Sequence, residues 1–229
     1  MSEHKNILGP LPLLVLPSVV LFPGADMPLY IEQPHYEKML NEILKGDRTL
    51  AVTLRRHKWD NWGDEEGQLA GIHSVGCLAR VISHKNLPGG GSNIYLRGLQ
   101  RVELVDELDT SPVRRVYYDP MEEKINSVDY IYLAEERESI IRLFFEASIQ
   151  GLLGPLPEGA IDRISSVSLD NFVPLVSVLI RLSPSERQQL LEDEPLLRIR
   201  RLHEKFRERL LYSTTLGNLN PLTAEDFTH

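Results

Sequence analysis

The chain has 229 residues, 42% of them apolar, with a formal net charge of −8 and a pI near 5.4. That apolar share supports a packed core and argues against intrinsic disorder. The acidic balance disfavours non-specific binding to nucleic acid or to anionic membranes, which a basic field would favour. Cys77 is the single cysteine. No intramolecular disulfide or cysteine cage for a metal can form, and a reducing, cytoplasmic setting is expected.

Residues 11–22, LPLLVLPSVVLF, resemble a secretory signal at first sight. Pro10, Pro12, Pro17 and Pro23 punctuate the run and break the helix that such a signal forms. Glu3 also offsets Lys5, so no signal is expected. The run instead predicts two short extended pieces, 11–16 and 19–22, split at Pro17. No stretch of about 18 uninterrupted apolar residues occurs, so no transmembrane helix is expected. Phe22-Pro23-Gly24 predicts a turn and 27–31 a strand. Pro34 suits the first turn of a helix whose stripe is Tyr36, Met39, Leu40, Ile43 and Leu44, with Gly46 as its stop.

Residues 49–54, TLAVTL, predict a buried strand. A polar loop over 57–68 follows and holds both tryptophans. Two long strands are expected at 74–86 and 92–104, joined by a turn at Pro88-Gly89-Gly90-Gly91, residues that tolerate positive φ. Val75, Cys77, Ala79 and Val81 mark the inner face of the first. Ile94, Leu96 and, after a break at Gly98, Leu99 and Val102 mark that of the second. A further strand covers 113–125, broken at Pro120. Several strands with one early helix predict a small closed or strongly curved sheet.

The periodicity changes near residue 127, and helical patterns follow. Residues 129–150 carry Leu133, Ile140, Ile141, Phe144 and Phe145 and end at Gly151. After GLLGPLPEG comes an apolar helix at 169–182 with Phe172, Val173, Val176, Leu179 and Ile180. Ser183-Pro184-Ser185-Glu186 is a capping box with proline at the first helical position. Pro195 opens the last helix, with Ile199, Leu202, Phe206 and Leu210 on one side. From Ser213 the chain reads as a flexible tail.

Catalytic patterns are missing. The dipeptide Gly-Lys does not occur, so a P-loop is excluded, and neither G-x-S-x-G nor H-E-x-x-H is present. Gly89-Gly90-Gly91 is not followed by a helix, so it reads as a hairpin and not as a nucleotide loop. The seven histidines are scattered; no metal site, no cofactor and no catalytic residue is expected. Cys77 on its strand reads as a buried structural thiol. Arg198, Arg200, Arg201, Lys205, Arg207 and Arg209 make the last helix locally basic. They read as a solvated face, with an acidic-partner or RNA patch as the alternative.

Trp59 and Trp62 stand beside His57 and Lys58 in HKWDNWGDEEG. Tryptophans in a polar loop suit a binding hot spot, because they bury much area at small entropic cost. The bland alternative has them folding back to cap the sheet.

Three stretches together resemble the N-terminal domain family of Lon proteases. They are Leu11-Pro12-Leu13 with Val20-Leu21-Phe22-Pro23-Gly24 and Met27-Pro28-Leu29; Val75-Gly76-Cys77-Leu78-Ala79-Arg80-Val81; and Tyr95-Leu96-Arg97-Gly98-Leu99-Gln100-Arg101-Val102. The resemblance is specific over residues 10–125. It implies an α+β protein: an N-terminal PUA-like β-barrel over 10–125 with one early helix, then a C-terminal helical bundle over 127–212 and a tail over 213–229. It also implies a non-catalytic module that recognises unfolded or partner polypeptides, as a substrate adaptor or regulator of proteolysis without the ATPase and peptidase parts. Other readings are an RNA-binding PUA-like module and a hydrolase with an unpatterned site. Membrane binding is not expected, nucleic acid is disfavoured, and the pattern specifies no oligomeric state.

Overall fold

The computed structural model describes residues 6–56, 71–88, 90–108, 112–123, 125–153, 156 and 158–216. These form a mixed α+β protein of two compact units, divided between Glu122 and Glu123. Among the described residues the first unit holds six strands and one helix, the second five helices.

In the first unit β1 (Leu8–Leu16), β2 (Asp26–Ile31), α1 (Pro34–Ile43), β3 (Thr49–Leu54), β4 (Val75–Asn86), β5 (Ser92–Leu108) and β6 (Arg115–Pro120) follow one another. The sheet order is β2-β5-β4-β3-β1-β6. β1 and β3 are parallel, with Leu13 opposite Ala51, and the other pairings are antiparallel. β6 pairs with both β1 and β5, so the pairings β5–β4–β3–β1–β6–β5 return to their start. The 17-residue length of β5 makes this possible: its first part pairs with β2 and its last part with β6.

Parallel strands tend to be covered on both faces, and β1 and β3 show why TLAVTL alternates so little. Leu14, Leu16, Leu50 and Val52 point into one core with Met39, Leu40 and Ile43 of α1 and Cys77, Ala79 and Val81 of β4. Leu13, Val15 and Ala51 point the other way, into a second core with Val102, Leu104 and Val116.

Four expectations change here. Residues 19–22 are not a strand. Val20, Leu21 and Phe22 are buried, but the following turn binds the sheet end-on: Gly24 N–H donates to Gly98 O, and Gly98 N–H to Ala25 O, both at 2.9 Å. β5 is not broken at Gly98. It carries a bulge, since Leu78 faces Gln100 and Ala79 faces Gly98, which leaves Leu99 as the extra residue. Leu99 therefore turns outward and is exposed. α1 stops at Ile43, before Gly46, and the left-handed residue that redirects the chain is Arg48, with φ 64°. The strand expected over 113–125 is shorter, covering Arg115–Pro120 only.

The second unit contains α2 (Ser127–Ile149), α3 (Ala160–Ser166), α4 (Leu169–Leu179), α5 (Pro184–Glu192) and α6 (Pro195–Leu216). α2 begins earlier than its apolar pattern suggests, because Asn126 and Asp129 form a reciprocal capping box. Phe144 of α2 meets Phe206 of α6 with ring centroids 5.4 Å apart. α3 has no counterpart in the sequence reading; it is seven residues long and buries only Ala160 and Ile164. Arg137 of α2 caps its C-terminal end, donating to Ser165 O at 2.7 Å and Val167 O at 2.8 Å. α4 ends at Leu179, short of residue 182, where Arg181 takes a φ of 55°. α6 continues through residue 213, where a tail was expected, to Leu216.

Candidate functional site

The loop expected to engage partners lies outside the described residues: His57, Lys58, Trp59 and Trp62 all fall within 57–70. Its anchors are described. Arg55 bridges Ile72, Arg56 N–H donates to Gly71 O at 2.9 Å, and His73 N–H donates to Leu54 O at 3.0 Å. Both ends are thus held side by side at the end of β3.

Among the described residues, no three histidines, cysteines or carboxylates gather as a metal site. His203 meets Glu136 at 2.7 Å, a contact between α6 and α2. Cys77 is buried, and burial pushes its thiol up to about 12, so it is protonated and inert at neutral pH. No described helix is long and apolar enough to cross a membrane.

Most of the basic side chains of α6 are occupied. Arg198 donates to Glu123 at 2.6 Å and to Leu190 O at 2.9 Å. Arg201 pairs with Asp193, and that hydrogen bond holds its guanidinium above the ordinary value. Arg200 donates to Tyr132 Oη at 3.1 Å, and Arg209 to Glu186 at 2.9 Å. Arg198, Arg201, Lys205 and Arg209 thus pair with carboxylates of the helical unit, while Arg200 and Arg207 are exposed.

The outer face of β2, β5 and β4 is different. Side chains on this face are paired across the ladder: Asp26 with Arg97, Pro28 with Tyr95 and Tyr30 with Asn93. Tyr30 and Tyr95 are therefore diagonal neighbours, and they are 54% and 48% exposed. Ile82, which follows the buried Val81 at a register shift in β4, is exposed as well. Tyr30 lies over Gly91, where any Cβ would sit 2.6 Å from its hydroxyl, and Gly91 has a φ of 77°. The aromatic patch is thus built against the hairpin turn. Its lower edge is closed by the Arg97–Asp26 pair, with two bonds of 2.7 Å; the Arg97 hydrogen bond holds the Asp26 carboxyl below its ordinary value. Exposed aromatic side chains clustered beside a charged pair make this face a candidate contact surface. Sequence periodicity predicted these strands but not the patch, because which side chains meet across β2 and β5 depends on register.

The three stretches named above meet at one crossing. An ideal Cβ on Gly98 would lie 2.0 Å from Phe22 O and 3.1 Å from Cys77 Sγ, so the turn after β1, the VGCLARV strand and the YLRGLQRV strand fit together only around a glycine.

Comparison with known proteins gives the same grouping. Residues 10–204 match the family model of the ATP-dependent protease La (LON) substrate-binding domain. A Lon protease of Cytophaga hutchinsonii is 25% identical over 196 residues, covering 83% of this chain and 23% of that protein. One from Flavobacterium johnsoniae is 26% identical over 216 residues, covering 92% of this chain and 24% of that protein. The chain thus spans about a quarter of the length of these relatives. Among solved structures, the N-terminal domain of a Mycobacterium avium complex Lon protease superposes with a TM-score of 0.63 at 14% identity, over 87% of this chain and 99% of that one. A Lon N-terminal domain protein from Xanthomonas campestris gives 0.53 at 17% identity, over 85% and 97%. The chain belongs to the family of the Lon substrate-binding domain.

Proposed function

We propose that the protein is a non-catalytic module that recognises unfolded or partner polypeptides and acts as a substrate adaptor or regulator of proteolysis. The family match over residues 10–204 carries this reading. The returning ring of pairings in the first unit supports a PUA-like barrel over 10–125, followed by a helical bundle over 127–212. Contact energy in such modules concentrates in a few aromatic and arginine anchors. Two places supply them: the Tyr30–Tyr95 face, and the loop carrying Trp59 and Trp62 with His57 and Lys58. The pairing of the α6 cations favours polypeptide over RNA as the partner.

The test is binding of a fluorescently labelled, permanently unfolded polypeptide followed by anisotropy. Replacing Tyr30 and Tyr95 with alanine, or Trp59 and Trp62 with alanine, is expected to weaken binding by about 2 kcal/mol, roughly 30-fold, with little change in thermal stability. Undiminished binding by both double variants would reject these surfaces. Preference for a labelled RNA over the polypeptide would reject the reading itself.

A further inference from the structure

The turn beneath Tyr30 is tied down from outside its own hairpin. Between β4 and β5 it first closes on itself. Leu87 N–H donates to Gly91 O at 3.0 Å, Gly90 N–H donates to Leu87 O at 3.2 Å, and Ser92 Oγ donates to Asn86 Oδ1 at 3.0 Å. The Gly91 N–H leaves the turn instead. It donates to Glu37 Oε1 at 3.0 Å, a side chain 54 positions earlier in the chain. Glu37 stands in the first turn of α1, whose start Pro34 sets. A partly buried amide needs a partner, and a carboxylate is a stronger acceptor than a carbonyl. Gly91 is thus held at its N–H by α1 and at its carbonyl by Leu87. The end of the Tyr30 ring rests on this fixed point: its Oη, Cε2 and Cζ lie 2.6, 2.8 and 2.9 Å from where a Gly91 Cβ would stand. Only a residue without a side chain leaves that space to the ring.

We infer that Gly91 and Glu37 are positioning residues of the Tyr30–Tyr95 face. The turn, latched to α1 through Glu37, is the seat that sets the Tyr30 ring in the orientation it presents to a polypeptide. The inference rests on the proposal above that this face binds polypeptide. Among the described residues β2 ends the sheet, so Tyr30 has a neighbouring strand on one side only and takes its second support from the turn. Tyr95, on β5, is flanked by Pro28 of β2 and Ser83 of β4. An aromatic side chain held in place before its partner arrives loses little freedom on binding, which is how preorganisation adds affinity.

Anisotropy of the labelled unfolded polypeptide, read beside thermal melts of the full chain, tests this on a small set of variants. Tyr30→Ala sets the scale, with binding expected to weaken about tenfold. Gly91→Ala should weaken it to a similar extent, because the new methyl occupies the seat and displaces the ring. Gly90→Ala is the control. Gly90 has a φ of 107°, so alanine strains the same turn, but nothing lies within 4 Å of its Cβ position. It should lower the melting temperature and leave binding at the parental value. Glu37→Ala should weaken binding severalfold, and Glu37→Gln, which keeps an acceptor for the Gly91 N–H, should retain it. Adding Gly91→Ala to Tyr30→Ala should cost nothing further, since residues that act through one ring are not additive. Equal losses of binding in Gly91→Ala and Gly90→Ala, parental binding by Gly91→Ala and Glu37→Ala, or full additivity with Tyr30→Ala would each overturn the inference while Tyr30→Ala still weakens binding. Parental binding by Tyr30→Ala would instead remove this face from the binding surfaces, and the inference with it.

Discussion

Gly98 shows how much one missing side chain can decide. Its backbone exchanges hydrogen bonds with Gly24 and Ala25 while the Phe22 carbonyl occupies the space of a Cβ, 2.0 Å away. Alanine there must displace backbone, not the tip of a flexible side chain. Gly98→Ala is therefore expected to destabilise the first unit by roughly 3 kcal/mol, the upper end of overpacking costs; a chemical denaturation midpoint close to that of the parent would show that the turn can move away. Cys77 lies under the same crossing, and its inertness has the same origin: the thiol is walled in by the sheet and by the docked turn.

At the scale of an element, the junction of α5 with α6 depends on Glu186. Its carboxylate accepts Ser183 N–H at 2.8 Å and an Arg209 N–H at 2.9 Å. Burial alone would raise its pKa, but the Ser183 hydrogen bonds and the charges of Arg209 and Lys205 outweigh burial and hold it below the ordinary 4.5. A depressed folded-state value means that the charged carboxylate contributes stability above the ordinary Glu range. That contribution is lost as pH falls through the folded value. Glu186→Gln keeps an acceptor for the cap but loses the charge, so it should cost about 1 kcal/mol at pH 7. Thermal melts of parent and variant should converge once the pH has fallen through the folded value, which lies below the ordinary 4.5; a gap that persists there would assign the loss to packing.

At the scale of the whole molecule, two units of different character share one chain, and the family they match is named for binding substrate. The sequence contains no Gly-Lys dipeptide and hence no P-loop. The purified 229-residue chain is accordingly expected to hydrolyse neither ATP nor casein. Turnover above a contaminant control that a point substitution in this chain abolishes would refute the non-enzyme reading.

The sequence by itself determined the local elements wherever local chemistry dominates. Pro34 set the start of α1, Ser183-Pro184-Ser185-Glu186 the start of α5, and the glycines at 89–91 the place of the hairpin; the run TLAVTL announced a strand covered on both faces. It also carried the family resemblance, because the glycine at 98 and the flanking strands leave a readable pattern. Tertiary structure alone decided the rest. Residues 19–22 have strand-like composition, but the backbone bonds to the sheet are made by the turn that follows them, Gly24 and Ala25 with Gly98, more than 70 positions away. Leu99 has core-like chemistry, but a bulge rotates it to solvent. The short α3 is held by Arg137 from another helix, not by its own stripe. Likewise, the Tyr30–Tyr95 patch exists only through strand register. Periodicity reports which side chains share a face; which face meets a neighbour is settled by long-range pairing, which no local pattern encodes.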